Sequence, residues 1–336
     1  PILRPYQKQG FRWMHAIAAY GFGGILADDM GLGKTLQAIA LMCSEKQTAS
    51  TDEHRMHLVV CPSSLTLNWK SEIEKFAPDL KTAIVIGIAA TRKQLLQHAT
   101  DYDVLVTSYS LLARDIALYQ DLSFDLHFLD EAQYIKNHTT QAAKAVKGIS
   151  SRIRFALTGT PVENTLAELW SIFDFIMPKY LFNYNKFKST YETPIVKKKD
   201  TAAVKSLQKV VAPFILRRMK KDVLTELPEK TETVLLSEME EPQDKLYAAT
   251  VLQTKQMLAA NNDSNSGENK LRILAMLTRL RQICCDPSLV YDTYQDGSAK
   301  LEQCMELVES CVHAGHKLLL FSQFTSMLDI IAERLR

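Results

Sequence analysis

Short apolar runs alternate with segments of helical spacing through the first half of the chain. The segments between the runs place apolar residues three and four positions apart. The runs lie at 24–27, 58–61, 83–88, 104–107, 124–129 and 155–158. Near-continuous apolar strands that alternate with helices are typical of a parallel sheet buried on both faces. The pattern therefore predicts an α/β fold, a mostly parallel sheet flanked by helices.

Helical spacing dominates the second half of the chain. Apolar residues follow the helical period at 167–177, 180–191 and 201–211. The polar segment 261–269 has no period and predicts a loop between two long helices. An apolar run at 318–321 predicts one more strand.

The composition is that of an ordinary soluble protein, with 336 residues for about two domains. Lys and Arg number 40 against 38 Asp and Glu, so the net charge of +2 points to no partner. No apolar run approaches the roughly 20 residues of a membrane helix, and no signal peptide opens the chain. We expect no membrane partner and a cytoplasmic location, nucleoid-associated in a bacterium or nuclear in a eukaryote. Because the chain begins at Pro1 and ends inside a helical pattern at Arg336, we expect a longer protein.

Six cysteines contain no C-x-x-C pair, which argues against a zinc ribbon and a disulfide framework. Cys311, His313 and His316 form the one local cluster that invites a metal interpretation. Gly315 and His316 fall where a helix ends before an apolar run, so a helix terminus is the preferred interpretation.

A glycine-rich turn joins the first apolar run to a helical segment at 36–42. It reads Asp28-Asp29-Met30-Gly31-Leu32-Gly33-Lys34-Thr35. A strand, a turn with two glycines and a helix beginning with Lys-Thr predict a loop whose backbone N–H groups cradle phosphates. Lys34 would reach the β- and γ-phosphates, and the Thr35 hydroxyl would ligate Mg²⁺. The pattern departs from the usual one at Asp28, where a glycine is expected.

The fifth apolar run ends in two carboxylates, Asp130 and Glu131. Parallel strands deliver such residues to their carboxyl ends, where nucleotide sites form. Asp130 is expected to hold Mg²⁺ through its water shell, and Glu131 to orient the attacking water. An acidic pair at a strand end is alternatively a turn or a helix cap. Together with the Lys-Thr loop, it predicts a nucleoside triphosphatase with ATP and Mg²⁺.

Three further features lie where they would serve such a site. Gln7, ahead of the loop, carries an amide that can read an adenine edge, or it is a surface residue. Ser63 and Ser64, after the second run, suit phosphate-backbone contacts or a helix cap. The sixth run ends in Thr158-Gly159-Thr160-Pro161, a turn that could sense the γ-phosphate.

Taken together, these motifs resemble the SWI/SNF-type ATPases, RecA-like DNA-dependent motors of helicase superfamily two. The resemblance rests on Leu3 to Gln7, Asp28 to Thr35, Cys61 to Leu65 with Trp69, Thr107 to Tyr109, Asp130 to Gln133 and Leu157 to Pro161. Later landmarks are Phe214 to Arg218, Leu227 to Lys230, Leu280 to Pro287 and Lys317 to Phe324. The family tolerates aspartate at position 28. Gln133 and Glu163-Asn164 are more typical of its bacterial members.

The resemblance implies two RecA-like lobes that grip ATP between them and move along double-stranded DNA, generally without separating the strands. Residues 1–226 would form lobe one, with a helical protrusion over about 167–226. Residues 227–336 would form the N-terminal part of lobe two, ending before the later motifs of the family. No oligomer is implied.

The resemblance also implies roles for single residues. Gln7 would read the adenine, and Gln133 with Thr158, Gly159 and Thr160 would couple nucleotide to DNA. Residues that would contact DNA phosphates are Ser63, Ser64, Lys70, Thr107, Ser108 and Tyr109. The basic cluster Arg217, Arg218, Lys220 and Lys221, and the lysines at 197–199, are candidates for duplex contact.

The family's arginine motif, which reaches across the cleft to the γ-phosphate, does not occur before Arg336. Because an arginine finger contributes about 10³ to 10⁵ in rate, we expect these 336 residues to bind ATP and hydrolyse it near background. Two other readings stay open for the protein. It could be a strand-separating helicase or restriction-type translocase, or a nucleotide-switched module that docks to a partner such as RNA polymerase.

Overall fold

The structure is a computed structural model that describes residues 2–48, 54–159, 165–224, 226, 231–260 and 267–336. The chain divides into two compact units, Pro1–Pro228 and Glu229–Arg336. Within the described ranges, no helix is both long and apolar enough to cross a membrane.

The first unit is built on a seven-stranded sheet in which every strand pair is parallel. The strands are β1 (Gly24–Leu26), β2 (His57–Cys61), β3 (Thr82–Ile84), β4 (Val104–Ser108), β5 (Ser123–Asp130), β6 (Ser150–Leu157) and β7 (Ile215–Leu216). Their order across the sheet is β3-β4-β2-β5-β6-β1-β7. The predicted α/β class is confirmed. The phosphate-loop strand β1 lies between β6 and β7, and the carboxylate strand β5 lies beside β6.

Both faces of the sheet are buried, which explains the near-continuous apolar runs. Ile25 and Val60 belong to the apolar core on one face, whereas their neighbours Leu26 and Val59 belong to the core on the other. Successive side chains of a strand point to opposite faces, so a strand covered on both sides needs apolar residues at every position.

In the first unit one predicted strand is shorter than expected and one strand was missed. The run at 83–88 forms a strand only to Ile84, because Gly87 has a φ of +92° and the side chains of Ile86 and Ile88 are exposed. Strand β7 was not predicted, since its two residues are too short to give a period.

The sheet is flanked by helices, and helices also occupy most of residues 166–223 at the end of the first unit. They are α1 (Pro5–Ala19), α2 (Lys34–Thr48), α3 (Thr66–Phe76), α4 (Ala89–Gln97), α5 (Tyr109–Asp115), α6 (Gln141–Gly148), α7 (Leu166–Ile176), α8 (Tyr184–Phe187), α9 (Thr193–Lys198), α10 (Thr201–Val211) and α11 (Lys220–Val223). The single helix predicted at 180–191 is interrupted by a π-helical turn at Lys188–Glu192. Pro194 follows that turn and cannot donate a helical hydrogen bond, which accounts for the local widening.

The second unit contains helices α12 (Glu241–Ala260), α13 (Gly267–Cys285), α14 (Ala299–His313) and α15 (Thr325–Arg334). Its small core joins α14 to α15 through Leu301, Met305, Met327 and Ile331. The strand predicted at 318–321 is wrong for this structure. No strand occurs among the described residues of the unit to pair with it, and the side chains of Leu319 and Phe321 are exposed. Helix α14 ends before Gly315, whose φ is +70°, as the sequence indicated.

Candidate nucleotide-binding site

The turn between β1 and α2 has the backbone of a phosphate-binding loop. Gly31 and Gly33 have φ values of +84° and +72°, a region that favours glycine. A Cβ atom at Gly33 would lie 2.5 Å from the Gln7 Nε2 atom, so a larger residue there would also require the Gln7 side chain to move. The two glycines therefore fix the shape of the loop.

Lys34 begins helix α2 and folds back over the loop. Its Nζ atom donates to the carbonyl oxygens of Asp28 at 2.8 Å and Asp29 at 3.4 Å. Burial lowers the pKa of Lys34, while the charges of Glu131 and Asp130 act in the opposite direction. Lys34 and the two carboxylates therefore lie within electrostatic reach of one another. Thr35, one residue along, is half-buried.

Asp28, which stands where the usual loop has glycine, is fully buried and charge-paired. Arg218 donates from Nε to Asp28 Oδ1 at 2.8 Å and from Nη2 to Asp28 Oδ2. Gln37 donates to the same Oδ2 at 3.2 Å, and Arg218 also donates to the carbonyl of Tyr6. The unusual aspartate is therefore one end of an internal brace between the loop and the residues that follow β7.

Asp130 ends strand β5 and accepts hydrogen bonds on each of its oxygens. Trp69 Nε1 donates to Oδ2 at 2.8 Å, the backbone N–H of Glu131 donates to Oδ1 at 3.0 Å, and the Tyr109 hydroxyl donates to the carbonyl at 2.8 Å. Burial raises the pKa of Asp130, and the Trp69 hydrogen bond opposes that rise. The carboxylate is therefore held in one orientation.

Glu131 is linked to the turn after β6. It has a φ of +51°, an uncommon conformation for a residue with a side chain. Gln133 Nε2 donates to Glu131 Oε2 at 2.7 Å, and the Thr158 hydroxyl donates to Gln133 Oε1 at 3.0 Å. Three of the predicted catalytic and coupling residues thus form one chain of hydrogen bonds. Thr160, predicted to act with them, lies outside the described residues.

A cavity of about 310 Å³ opens beside this chain of hydrogen bonds. It is lined by Asp29, Met30, Glu131, Gln133, Gly159 and Lys220. Loop residues, a carboxylate and the coupling turn therefore face the same space.

Gln7 lies against the loop, and both the oxygen and the nitrogen of its amide make a hydrogen bond. Its Oε1 accepts from the backbone N–H of Arg4 at 2.9 Å, and its Nε2 donates to the carbonyl of Leu32 at 3.1 Å. The side chain is buried. One amide hydrogen and one lone pair are left over, because a primary amide can make four hydrogen bonds.

Of the residues expected to contact DNA, the two serines are exposed on the turn Ser63–Leu65. Neither caps α3, because the residue at its cap position is Leu65 and no side chain bonds there. Lys70 is half-buried and pairs with Glu74 at 3.6 Å, and Arg217 is exposed. These four side chains place polar groups at the surface of the first unit.

Of the other side chains expected at the DNA, Thr107, Ser108 and Tyr109 are buried and Arg218 is partly buried, and each bonds within the protein. Thr107 donates to the carbonyl of Val85 at 3.3 Å, and Ser108 caps α5 by accepting from the N–H of Leu111. Tyr109 bonds to Asp130, and Arg218 bonds to Asp28. Short polar side chains at strand ends satisfy buried backbone groups as readily as they meet a ligand, and sequence does not separate these roles.

Two contacts of the site were not predicted from the sequence. Trp69 reads as an apolar helix residue, yet its indole N–H bonds to Asp130, 61 positions away. The pairing of Asp28 with Arg218 spans 190 positions. For the second, the unexpected carboxylate at a glycine position was a signal, because a buried charge requires a partner.

A sequence model of the SNF2-related domain matches residues 6–289. The chain belongs to this family. An uncharacterized ATP-dependent helicase of Mycoplasma genitalium is 38% identical over 338 aligned positions, which cover 99% of this chain and 31% of the relative. The ISWI chromatin-remodeling complex ATPase ISW1 of Saccharomyces cerevisiae is 32% identical, with 98% and 30% covered. The chain thus spans about a third of the length of these curated relatives.

A solved SNF2-family structure has the same fold. It is the Sulfolobus solfataricus SWI2/SNF2 ATPase core in complex with dsDNA, with a TM-score of 0.64 and 39% identity over 98% of this chain and 69% of that one. The resemblance to SWI/SNF-type ATPases and the RecA-like fold are therefore confirmed. The bacterial relative is more similar than the yeast one, in line with a bacterial member.

Proposed function

We propose that the protein is an ATP-dependent motor that moves along double-stranded DNA without separating its strands. The observation that carries the proposal is the convergence of Lys34 with Asp130 and Glu131 beside a glycine-shaped loop. The similar Sulfolobus protein, an ATPase core solved in complex with dsDNA, supports the same assignment.

The residues fit ATP and Mg²⁺. Gly31 and Gly33 leave the backbone of the loop open where a Cβ would otherwise intrude, and Lys34 supplies a cation for phosphate. The oxygens of Thr35 and Asp130 are the hard ligands that Mg²⁺ prefers. Loop residues Asp28 to Thr35 would hold the phosphates, and the free half of the Gln7 amide would meet the adenine. Bound Mg²⁺ would neutralise charge on the phosphates.

Within this proposal the protein's own residues orient the reaction. Glu131 accepts from Gln133, which leaves its second oxygen to hold a water in line with the terminal phosphate. Gln133 in turn accepts from Thr158, so a shift of Thr158 would move Glu131. This chain of hydrogen bonds is the proposed coupling between the nucleotide and the rest of the motor.

Contact with DNA is assigned to the exposed polar groups of the first unit. Ser63, Ser64, Lys70 and Arg217 would bind phosphates, while Thr107, Ser108 and Tyr109 would position their segment from inside. The lysines at 197–199 are exposed around the end of α9 and suit backbone contact. Such contacts predict binding that weakens steeply with salt and depends little on base sequence.

The Mycoplasma relative bears the name of an ATP-dependent helicase, which favours strand separation as a second candidate. An unwinding assay on a forked duplex distinguishes the two functions. We expect ATP hydrolysis stimulated by duplex DNA with no strands released, and efficient release would replace our proposal with the helicase.

The proposal is tested by Lys34→Ala in the whole protein. We expect translocation to be lost while DNA binding stays within about twofold, because Lys34 is assigned to the phosphates and is not among the proposed DNA contacts. If instead turnover shows no dependence on DNA and the substitution alters affinity for a protein partner such as RNA polymerase, the protein is a docking module.

A further inference from the structure

The residues that follow β7 run alongside the phosphate loop in fixed register. The backbone N–H of Ala27 donates to the carbonyl of Leu216 at 2.7 Å, and that of Asp29 donates to the carbonyl of Arg218 at 3.0 Å. The N–H of Lys220 then donates to Asp29 Oδ2 at 2.9 Å. Two backbone hydrogen bonds thus extend the pairing of β7 with β1 to the start of the loop, and the third ties the backbone of Lys220 to the Asp29 side chain.

The side chains of this segment reach two different parts of the loop. Arg218 anchors the segment through its ion pair with the buried Asp28. Lys220, two residues further, reaches over Gly31, where a Cβ atom would lie 3.2 Å from its Nζ and 3.3 Å from its Cε. The ammonium group of Lys220 therefore lies over Gly31.

The Lys220 ammonium group has no carboxylate partner among the described residues. Lys34, in contrast, donates to two loop carbonyls. Lys220 also lines the cavity of about 310 Å³ that contains Glu131, Gln133 and Gly159. A free cation beside that set of residues suits a negatively charged ligand.

We propose that Lys220 is a second phosphate-contacting lysine of the nucleotide site, acting with Lys34 on the terminal phosphates of a nucleoside triphosphate. The inference rests on the proposed function, because it requires a triphosphate on this loop. Lys220, a candidate for DNA contact from the sequence, is here assigned to the nucleotide instead.

The test is the affinity of the chain for ATP, ADP and AMP, measured by calorimetry with Mg²⁺ at low salt. Lys220→Ala is expected to weaken ATP binding about 5- to 20-fold and AMP binding less than twofold, since a charge-assisted hydrogen bond to a terminal phosphate would be lost. Lys220→Arg should restore ATP affinity to within about threefold, because its charge is kept.

Lys221→Ala is the matched control, because Lys221 is the neighbouring lysine, is also exposed and lies outside the cavity lining. It should leave ATP affinity within about twofold. The inference is overturned if Lys220→Ala also leaves ATP affinity unchanged, or reduces affinity for duplex DNA alone. If the unaltered chain binds ATP no better than AMP, and Lys34→Ala changes nothing, the proposed function fails and this inference fails with it.

Discussion

Asp130 is the residue at which the two segments assigned to DNA meet. Trp69 belongs to the helix that follows the exposed turn of Ser63 and Ser64, and Tyr109 follows directly after Thr107 and Ser108. Each segment supplies one hydrogen bond to Asp130, at 2.8 Å in both cases. A movement at either segment would therefore reach the proposed Mg²⁺ ligand through a single side chain.

Trp69→Phe tests that connection, because it removes the indole N–H and keeps an aromatic ring. We predict that the half-saturating Mg²⁺ concentration for ATP binding rises about 3- to 10-fold, as expected for the loss of one typical hydrogen bond that orients the carboxylate. Trp170→Phe is the control, since Trp170 is also buried but donates to the carbonyl of Phe182. Equal effects of the two substitutions would mean that only packing had been measured.

His57 predicts an acid-sensitive fold. It is buried in β2, and burial lowers its pKa from 6.5 to about 4 against the smaller opposing effects of Asp125 and Asp103. Below pH 6.5 this histidine is protonated in the unfolded chain but stays neutral in the native protein. The free energy of unfolding therefore falls between pH 6.5 and 4, and this group lowers it no further below pH 4. The loss from this group is about 2 kcal/mol at pH 5.

The loss is measured by urea unfolding of the first unit at pH 7 and pH 5. Replacing His57 with Gln should reduce the difference between the two pH values by about that amount. The exposed His98, replaced in the same way, should leave the difference as it was. An unchanged pH dependence in the His57 variant would contradict the assignment.

At the scale of elements, β7 ties the end of the first unit to the phosphate loop. Arg218 is partly buried and pairs with the fully buried Asp28, and its guanidinium also bonds to Tyr6 and Gln37. This one side chain therefore connects β7, α1, α2 and the loop.

Arg218→Ala leaves Asp28 buried without its partner. We predict a loss of about 3 to 5 kcal/mol in the free energy of unfolding, typical of an uncompensated buried charge. Arg217→Ala, at the exposed neighbouring position, should stay within about 0.5 kcal/mol. Chemical denaturation of the first unit measures both, and a loss below about 1 kcal/mol for Arg218→Ala would show that the ion pair is dispensable.

The sequence predicts the elements of the first unit well, because burial on both faces leaves a strong apolar signal in strands such as β2 and β5. It fails at β7, where two residues carry no period. It fails again at 318–321, where apolar composition alone cannot form a strand without a neighbour. Periodicity records burial, whereas pairing depends on residues far away in the chain.

In the candidate site, too, the sequence predicts residues that belong to local motifs and misses contacts between distant positions. Lys34, Asp130 and Glu131 were predicted because local motifs at strand ends carry them. Trp69 and Arg218 were not assigned their contacts, because those contacts join positions 61 and 190 residues apart. Side chains such as Thr107 look alike in sequence whether they face solvent or the interior.

At the scale of the whole molecule, the 336 residues form two units, of which the first contains the described nucleotide site. We predict that this chain alone binds ATP but hydrolyses it near background with or without duplex DNA. The reason is that no arginine lines the described cavity beside Glu131, whereas an arginine finger contributes about 10³ to 10⁵ in rate to phosphoryl transfer. A steady-state ATPase assay measures this, and turnover of several per second would contradict it.

The most direct test of the account is the binding of ATP to the unaltered chain, Lys34→Ala and Asp130→Asn, each with and without Mg²⁺. We predict that Lys34→Ala weakens ATP binding by at least tenfold in both conditions. Asp130→Asn should remove most of the gain in affinity that Mg²⁺ confers and leave binding without the metal within about twofold. If both substitutions leave ATP affinity and its Mg²⁺ dependence as in the unaltered chain, these residues do not share a nucleotide site.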